Sequence, residues 1–192
     1  GNVRFVLPPL AADNLNSAAS WTESNEILKN YVYVYRYDRL NRCIYKKLPG
    51  CEPVYTVYDA ADRPIFTQDG EQRTKGEWAF SIPDAFNRVV LTGICKNNPD
   101  YMADPLKGIV VKAVWVDSAS SVKGYSIWGI TLNAPTVLSA VYYDSYGFMG
   151  KSNSIPNDAT TAYAEVPGYG KRYPGGCRGQ QTGSYIAKLS KT

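Results

Sequence analysis

Residues 31–42 read Tyr-Val-Tyr-Val-Tyr-Arg-Tyr-Asp-Arg-Leu-Asn-Arg, and their alternation decides the class of the fold. In an extended chain side chains i, i+2 and i+4 share a face, so Tyr31, Tyr33, Tyr35 and Tyr37 are expected on one side of a strand. Val32 and Val34 then fall on the other. Asp38 ends the run, and aspartate favours the first position of a type I turn, where its carboxylate accepts a nearby backbone N–H. Three residues on, Asn41 tolerates the left-handed backbone that a three-residue hairpin loop needs for its bulge. The segment is a strand running into a hairpin turn.

The same arrangement recurs. Asp38, Asp59, Asp84 and Asp144 follow Tyr37, Tyr58, Pro83 and Tyr143, at spacings of 21, 25 and 60 residues. Three positions after each aspartate stand Asn41, Asp62, Asn87 and Gly147, all residue types that adopt the left-handed conformation. One position further are Arg42, Arg63, Arg88 and Phe148. A spacing of 21 suits one hairpin per unit. The arginine past each turn has three options: a neighbouring tyrosine ring, an adjacent aspartate, or solvent. The gap between Asp84 and Asp144 reads either as an insertion or as units worn beyond recognition.

Working outward, strand-like runs cover Val54–Tyr58, Trp78–Ile82, Val89–Ile94, Ile109–Val116, Tyr125–Leu132 and Val137–Tyr143. Leu48-Pro49-Gly50, Gln68-Asp69-Gly70 and Lys96-Asn97-Asn98-Pro99 supply turn signals. Pro8-Pro9 favours an extended entry. Ser20-Trp21-Thr22-Glu23 fits a capping box ahead of a helix through Asn30, with Ile27 and Leu28 as its apolar face. The expectation is an all-β chain of antiparallel hairpin repeats forming a curved sheet or partial β-shell, with at most one short N-terminal helix. It is read as a single domain over 1–192: a lead-in at 1–30, tandem hairpins at 31–92, inserted strands at 93–138, and a fourth unit with a glycine-rich tail at 139–192.

Composition narrows the function. The 192 residues contain no histidine, so no Ser-His-Asp or Cys-His nucleophile system and no histidine-ligated zinc can be built within the chain. The 16 tyrosines are the other excess. The net charge of 21 − 17 = +4 is dispersed, with no basic run that would mark a nucleic-acid partner, and no apolar stretch approaches a membrane span. Cys43, Cys51, Cys95 and Cys177 form no C-x-x-C pair; buried free thiols are the simpler reading, and export would allow up to two disulfides. The opening Gly1-Asn2-Val3-Arg4 reads as that of an excised piece, with any address signal outside it.

Several motifs fail on their context. Gly150-Lys151-Ser152 ends like a phosphate loop, but Ser145 stands where the first glycine belongs and Pro156 interrupts the helix that should follow. Ser120-Ser121-Val122-Lys123 matches S-x-x-K without a K-T-G partner. The stretch from Gly168 to Gly183 is glycine-rich without a dinucleotide spacing. No catalytic residue, cofactor or metal site is therefore expected. Carbohydrate binding is the rival reading, with Tyr31, Tyr33 and Tyr35 as a candidate aromatic surface, although Trp21, Trp78, Trp115 and Trp128 read mainly as core.

The run Tyr35-Arg36-Tyr37-Asp38-Arg39-Leu40-Asn41-Arg42, followed by Tyr58-Asp59-Ala60-Ala61-Asp62-Arg63, resembles the tyrosine–aspartate repeats of bacterial Rhs-type proteins. Lys46 to Cys51 and Trp78 to Gly93 carry the likeness further. The family pattern has glycine before the arginine; Asn41, Asp62 and Asn87 replace it here, and Gly147 keeps it without the arginine. The resemblance covers residues 31–92 well and 139–192 loosely. It implies a non-catalytic segment of a β-shell in a secreted or cell-surface protein, enclosing or presenting a C-terminal toxin-like domain. The implied partners are flanking repeats of the parent chain, with a protein or glycan ligand as the alternative. Sheet edges left open would lead either to closure by the non-repeat strands or to a homodimer.

Overall fold

The computed structural model describes residues 1–16, 22, 25–116, 121–144, 148 and 178–188. Among them are eleven strands and three short helices: β1 (Phe5–Val6), α1 (Pro9–Asn16), α2 (Glu26–Tyr31), β2 (Tyr33–Tyr37), β3 (Cys43–Lys47), β4 (Val54–Tyr58), β5 (Pro64–Gln68), α3 (Gly70–Thr74), β6 (Trp78–Pro83), β7 (Val89–Cys95), β8 (Lys112–Trp115), β9 (Tyr125–Trp128), β10 (Thr136–Tyr143) and β11 (Gln181–Ile186). The class is all-β with antiparallel pairing. The chain forms two compact units, Gly1–Ser81 with Ile94–Val111 and Gly129–Pro135, and Ile82–Gly93 with Lys112–Trp128 and the described part of Thr136–Thr192. The strands β6 and β7 pass from one unit to the other in sequence.

In the first unit each strand from β1 to β6 pairs with the next in antiparallel order. The registers place Arg36 opposite Tyr45, Tyr45 opposite Tyr55, and Tyr55 opposite Gln68. Val34, Tyr45, Val57, Phe66 and Phe80 are buried on the face carrying that row, as strand alternation requires. The two helices at the N-terminal end add Ala11, Leu15 and Leu28 to a cluster with Val32, Val34 and Tyr45. In each of the hairpins β2–β3 and β4–β5 the register slips beside the tyrosine that precedes the turn, between Arg36 and Tyr37 and between Val57 and Tyr58. These are the bulges the loop length calls for.

Three local expectations are corrected. Pro8-Pro9 does not hold an extended entry: Pro9 opens α1, and Ala12 N–H donates to the Pro8 carbonyl. Proline suits the first helical turn, where its missing N–H has no partner to lose. Tyr31 closes α2 rather than opening the strand, because Asn25 caps that helix by accepting from Ile27 N–H and Leu28 and Val32 bury its inner side. Tyr33, Tyr35 and Tyr37 do share a half-buried face of β2. Gln68-Asp69-Gly70 is a helix start rather than a turn, with a capping box between Asp69 and Gln72. The described residues thus hold three helices, all short, where the sequence predicts at most one. Ser20, Trp21 and Glu23 of the expected capping box lie outside the described residues.

In the second unit β7 neighbours β10, joined by Thr92 and Ser139 hydroxyls 2.7 Å apart, and β10 pairs with β11. The separate strands β8 and β9 pair antiparallel, and β9 is entered through a turn at Lys123-Gly124, where Val122 and Tyr125 exchange backbone hydrogen bonds. Both turn residues have positive φ, 52° and 88°, which is the mirror-image turn that matches strand twist. Gly124 is required twice over. A Cβ there would lie 1.9 Å from the Trp115 ring. Gly50, at φ 66°, has open space around it. Gly50→Ala is therefore expected to cost about 1–2 kcal/mol in urea unfolding, the left-handed penalty alone. Gly124→Ala should cost about 1–3 kcal/mol more, from overpacking.

Candidate functional site

Three turns are built alike. In the first, Asn41 N–H donates to the Asp38 carbonyl and Asp38 N–H to the Arg42 carbonyl. Asp38 Oδ1 accepts from Leu40 and Arg42 N–H, both at 2.9 Å, and Oδ2 accepts from Arg42 Nε at 2.6 Å. The second turn repeats each bond with Asp59, Ala61, Asp62 and Arg63, and the third with Asp84, Phe86, Asn87 and Arg88. Asn41, Asp62 and Asn87 have φ of 63°, 58° and 65°. Each carboxylate thus ties two backbone donors and one guanidinium into a closed loop.

Each arginine also leaves its own turn. Arg42 donates from Nη1 to the Asp59 carbonyl at 2.7 Å and to Asp62 Oδ1 at 3.2 Å, while its guanidinium lies 5.2 Å from the Tyr58 ring. Arg88 donates from Nη2 to Asp144 Oδ2 at 2.8 Å and sits 4.0 Å over the Tyr143 ring. In both cases the arginine of one repeat meets the tyrosine ring and an aspartate of another repeat. The stack and the ion pair occur together, so the two sequence options are one arrangement. Arg63 goes instead to the Val111 carbonyl.

Asp59 is the most enclosed of these groups, with no exposed surface. Val111 N–H donates to its Oδ2 at 3.1 Å, and Ala60 N–H donates to the Ile109 carbonyl, so the 109–111 backbone is pinned to this turn. Arg42 further pairs with Asp104 at 3.2 Å. Neither Val111 nor Asp104 is visible to a motif search, since a backbone amide has no residue signature and Asp104 lies 62 positions from Arg42. The segment read as inserted strands supplies these contacts, and of its 109–116 run only Lys112–Trp115 is strand.

The fourth aspartate departs from the pattern. Asp144 itself has φ of 67°, its N–H donates to the Gln180 carbonyl, and its Oδ1 accepts from Gly179 N–H. The partner strand arrives from Gln181–Ile186, far along the chain, so this is no short hairpin. Gly147 lies outside the described residues, as do Gly150-Lys151-Ser152 and Ser120. Phe148, in the arginine's place, stacks on Tyr142 at 4.4 Å. Of the other singled-out residues, Trp78 is buried, Trp115 packs edge-on against Tyr125 and Tyr142, and Trp128 is 59% exposed. Among the described residues Cys43, Cys51 and Cys95 are free thiols, and burial pushes the Cys95 thiol up.

Burial alone would raise the Asp38 and Asp59 carboxyls. The hydrogen bonds outweigh it: Arg42 and Leu40 hold Asp38 below the usual range, and Arg63, Val111 and Ala61 do the same for Asp59. Asp144 is lowered chiefly by Arg88. The arrangement neutralises and orients: Asp38, Asp59 and Asp84 each accept two backbone N–H bonds within the turn and one from the arginine four residues on. No protein-family model and no curated protein matches the chain.

A depressed folded-state pKa stabilises above the unfolded carboxylate range and is lost as pH falls through the folded value. The urea midpoint is therefore expected to change little between pH 8 and 5, where no histidine titrates, and to drop below about pH 4. Asp59→Asn should lower stability by about 3 kcal/mol at neutral pH and shrink that acid-dependent drop. Asn87→Gly should leave stability within a few tenths of a kcal/mol, whereas Asn87→Ala should lose about 1 kcal/mol.

Proposed function

We propose that this chain is a non-catalytic structural segment of a tyrosine–aspartate-repeat β-shell, part of a large secreted or cell-surface protein that encloses or presents a toxin-like domain. The observation that carries the reading is the seating of one repeat's arginine on another repeat's tyrosine ring and aspartate, at Arg42 with Tyr58 and Asp62 and at Arg88 with Tyr143 and Asp144. Such a contact joins hairpins side by side along a sheet and leaves no reactive group over. It gives the tyrosine, the aspartate, the left-handed residue and the arginine each a purpose in building a wall, and none in turning over a substrate. Flanking repeats of the parent chain are the natural partners in this reading.

The rival is a glycan-binding surface on Tyr33, Tyr35 and Tyr37, which share one half-exposed face. Two measurements separate them. Imaging of the parent protein with its neighbouring sequence is expected to place this segment in the wall of a closed sheet around a protease-protected domain. Glycan-array binding by this chain, abolished by Tyr35→Ala with the fold retained, would replace the shell with the binding module.

A further inference from the structure

A cavity of about 240 Å³ opens in the first unit between α2, β2, β3 and the segment after β3, lined by Phe5, Leu28, Val34, Tyr45 and Pro53, with Lys29, Lys47 and Glu52 as its charged members. Its walls are mainly apolar. Lys47 is unusual among them, because it is only 9% exposed and lies in register opposite Val34 on the buried face of the sheet. Its ammonium donates to the Lys29 carbonyl in the last turn of α2. An ammonium has three N–H donors, and this carbonyl takes one. Among the described residues Lys47 has no ion pair. The carboxylate nearest at hand in the wall, Glu52, is largely exposed and turned toward Arg73, 3.5 Å away.

A buried charge without a counter-charge is costly, and a bound anion removes that cost. We infer that this cavity is a binding site for a small monocarboxylate with an apolar body, whose carboxylate pairs with the Lys47 ammonium while its tail lies against Leu28, Val34 and Tyr45. The space equals that of about eight water molecules, which fits a short fatty or aromatic acid. Two lysines against one carboxylate, itself engaged by Arg73, set the sign of the ligand. The inference stands apart from the shell reading, since it uses no residue of the turns.

The test is titration of the chain with hexanoate and benzoate, and with the uncharged hexanamide and benzamide, followed by calorimetry and amide NMR shifts. The acids are expected to bind at least about tenfold more tightly than the amides, the worth of a charge-assisted contact. Shifts should concentrate at Leu28, Val34, Tyr45 and Lys47. Glu52→Gln, at an exposed rim position, should tighten acid binding by removing a like charge. Lys46→Met, on the opposite face of β3, should leave it unchanged, and Lys47→Met should abolish the preference for acid over amide. Equal binding of acids and amides, shifts located elsewhere, or no saturation by about 10 mM (a Kd beyond the weak end of specific binding) would overturn the assignment. Should Lys47→Met fail to fold, the acid–amide comparison and Glu52→Gln on the folded chain decide.

Discussion

The structure depends on one interaction repeated three times: a carboxylate that closes its own turn and holds the arginine four residues on. Asp38, Asp59 and Asp84 each satisfy two backbone N–H groups that a tight loop would otherwise leave without partners, and each fixes a guanidinium at a set angle. A flexible arginine at a sheet edge would contribute little. Held by its own aspartate, it has lost most of its rotamer freedom already, so reaching a second partner costs less conformational entropy. That is why the guanidinium of Arg42 serves Asp38, the Asp59 carbonyl, Asp62 and Asp104 together.

Burial follows from the same economy of partners. Asp59 is fully enclosed, a position a carboxylate tolerates only when its lone pairs are filled. Arg63, Ala61 and Val111 fill them. The requirement works outward as well, because the Val111 amide must come to the turn, and with it the 109–111 backbone. A second stabilising device serves the other unit, where Trp115, Tyr125, Tyr142 and Phe148 pack ring against ring. Trp115 lies on the bare backbone of Gly124, and Phe148 on that of Gly183, so the missing side chains make room for the rings. Buried phenols in that cluster keep their hydroxyls bonded, Tyr125 to the Val141 carbonyl and Tyr142 to that of Lys123.

Much of this is local chemistry and therefore legible in the residue order. Alternation from Tyr33 to Tyr37 gave a strand, and asparagine or aspartate three residues past Asp38, Asp59 and Asp84 marked the left-handed positions. Where local signals compete the outcome turned on tertiary packing. Tyr31 fits the strand pattern as well as its neighbours do, but Leu28 and Val32 are buried only if the helix runs through it. The strands β3 and β5 were less visible: the apolar run is only Cys43–Tyr45 ahead of two lysines in one and Ile65-Phe66 between a proline and two polar residues in the other, and pairing with the preceding strand is what extends them. Trp128 reads as core by its bulk, yet it ends a short strand more than half exposed, with the Lys112 ammonium 5.9 Å from its ring.

The amino-acid sequence by itself determined the all-β class, the three aspartate turns and the absence of imidazole chemistry, because each depends on residues within a few positions of one another or on composition alone. Only the tertiary structure decided where the arginines go. The repeat marks Tyr58 and Asp144 as members of other hairpins, but that Arg42 meets Tyr58 and Asp104, and Arg88 meets Asp144, across 16, 62 and 56 positions, depends on which strands lie side by side. The same holds for Lys47, which reads as one of two adjacent lysines until strand alternation sends Lys46 to solvent and Lys47 inward. A guanidinium or an ammonium carries its charge on a long stem, and the partner it meets is set by which strands the fold lays side by side.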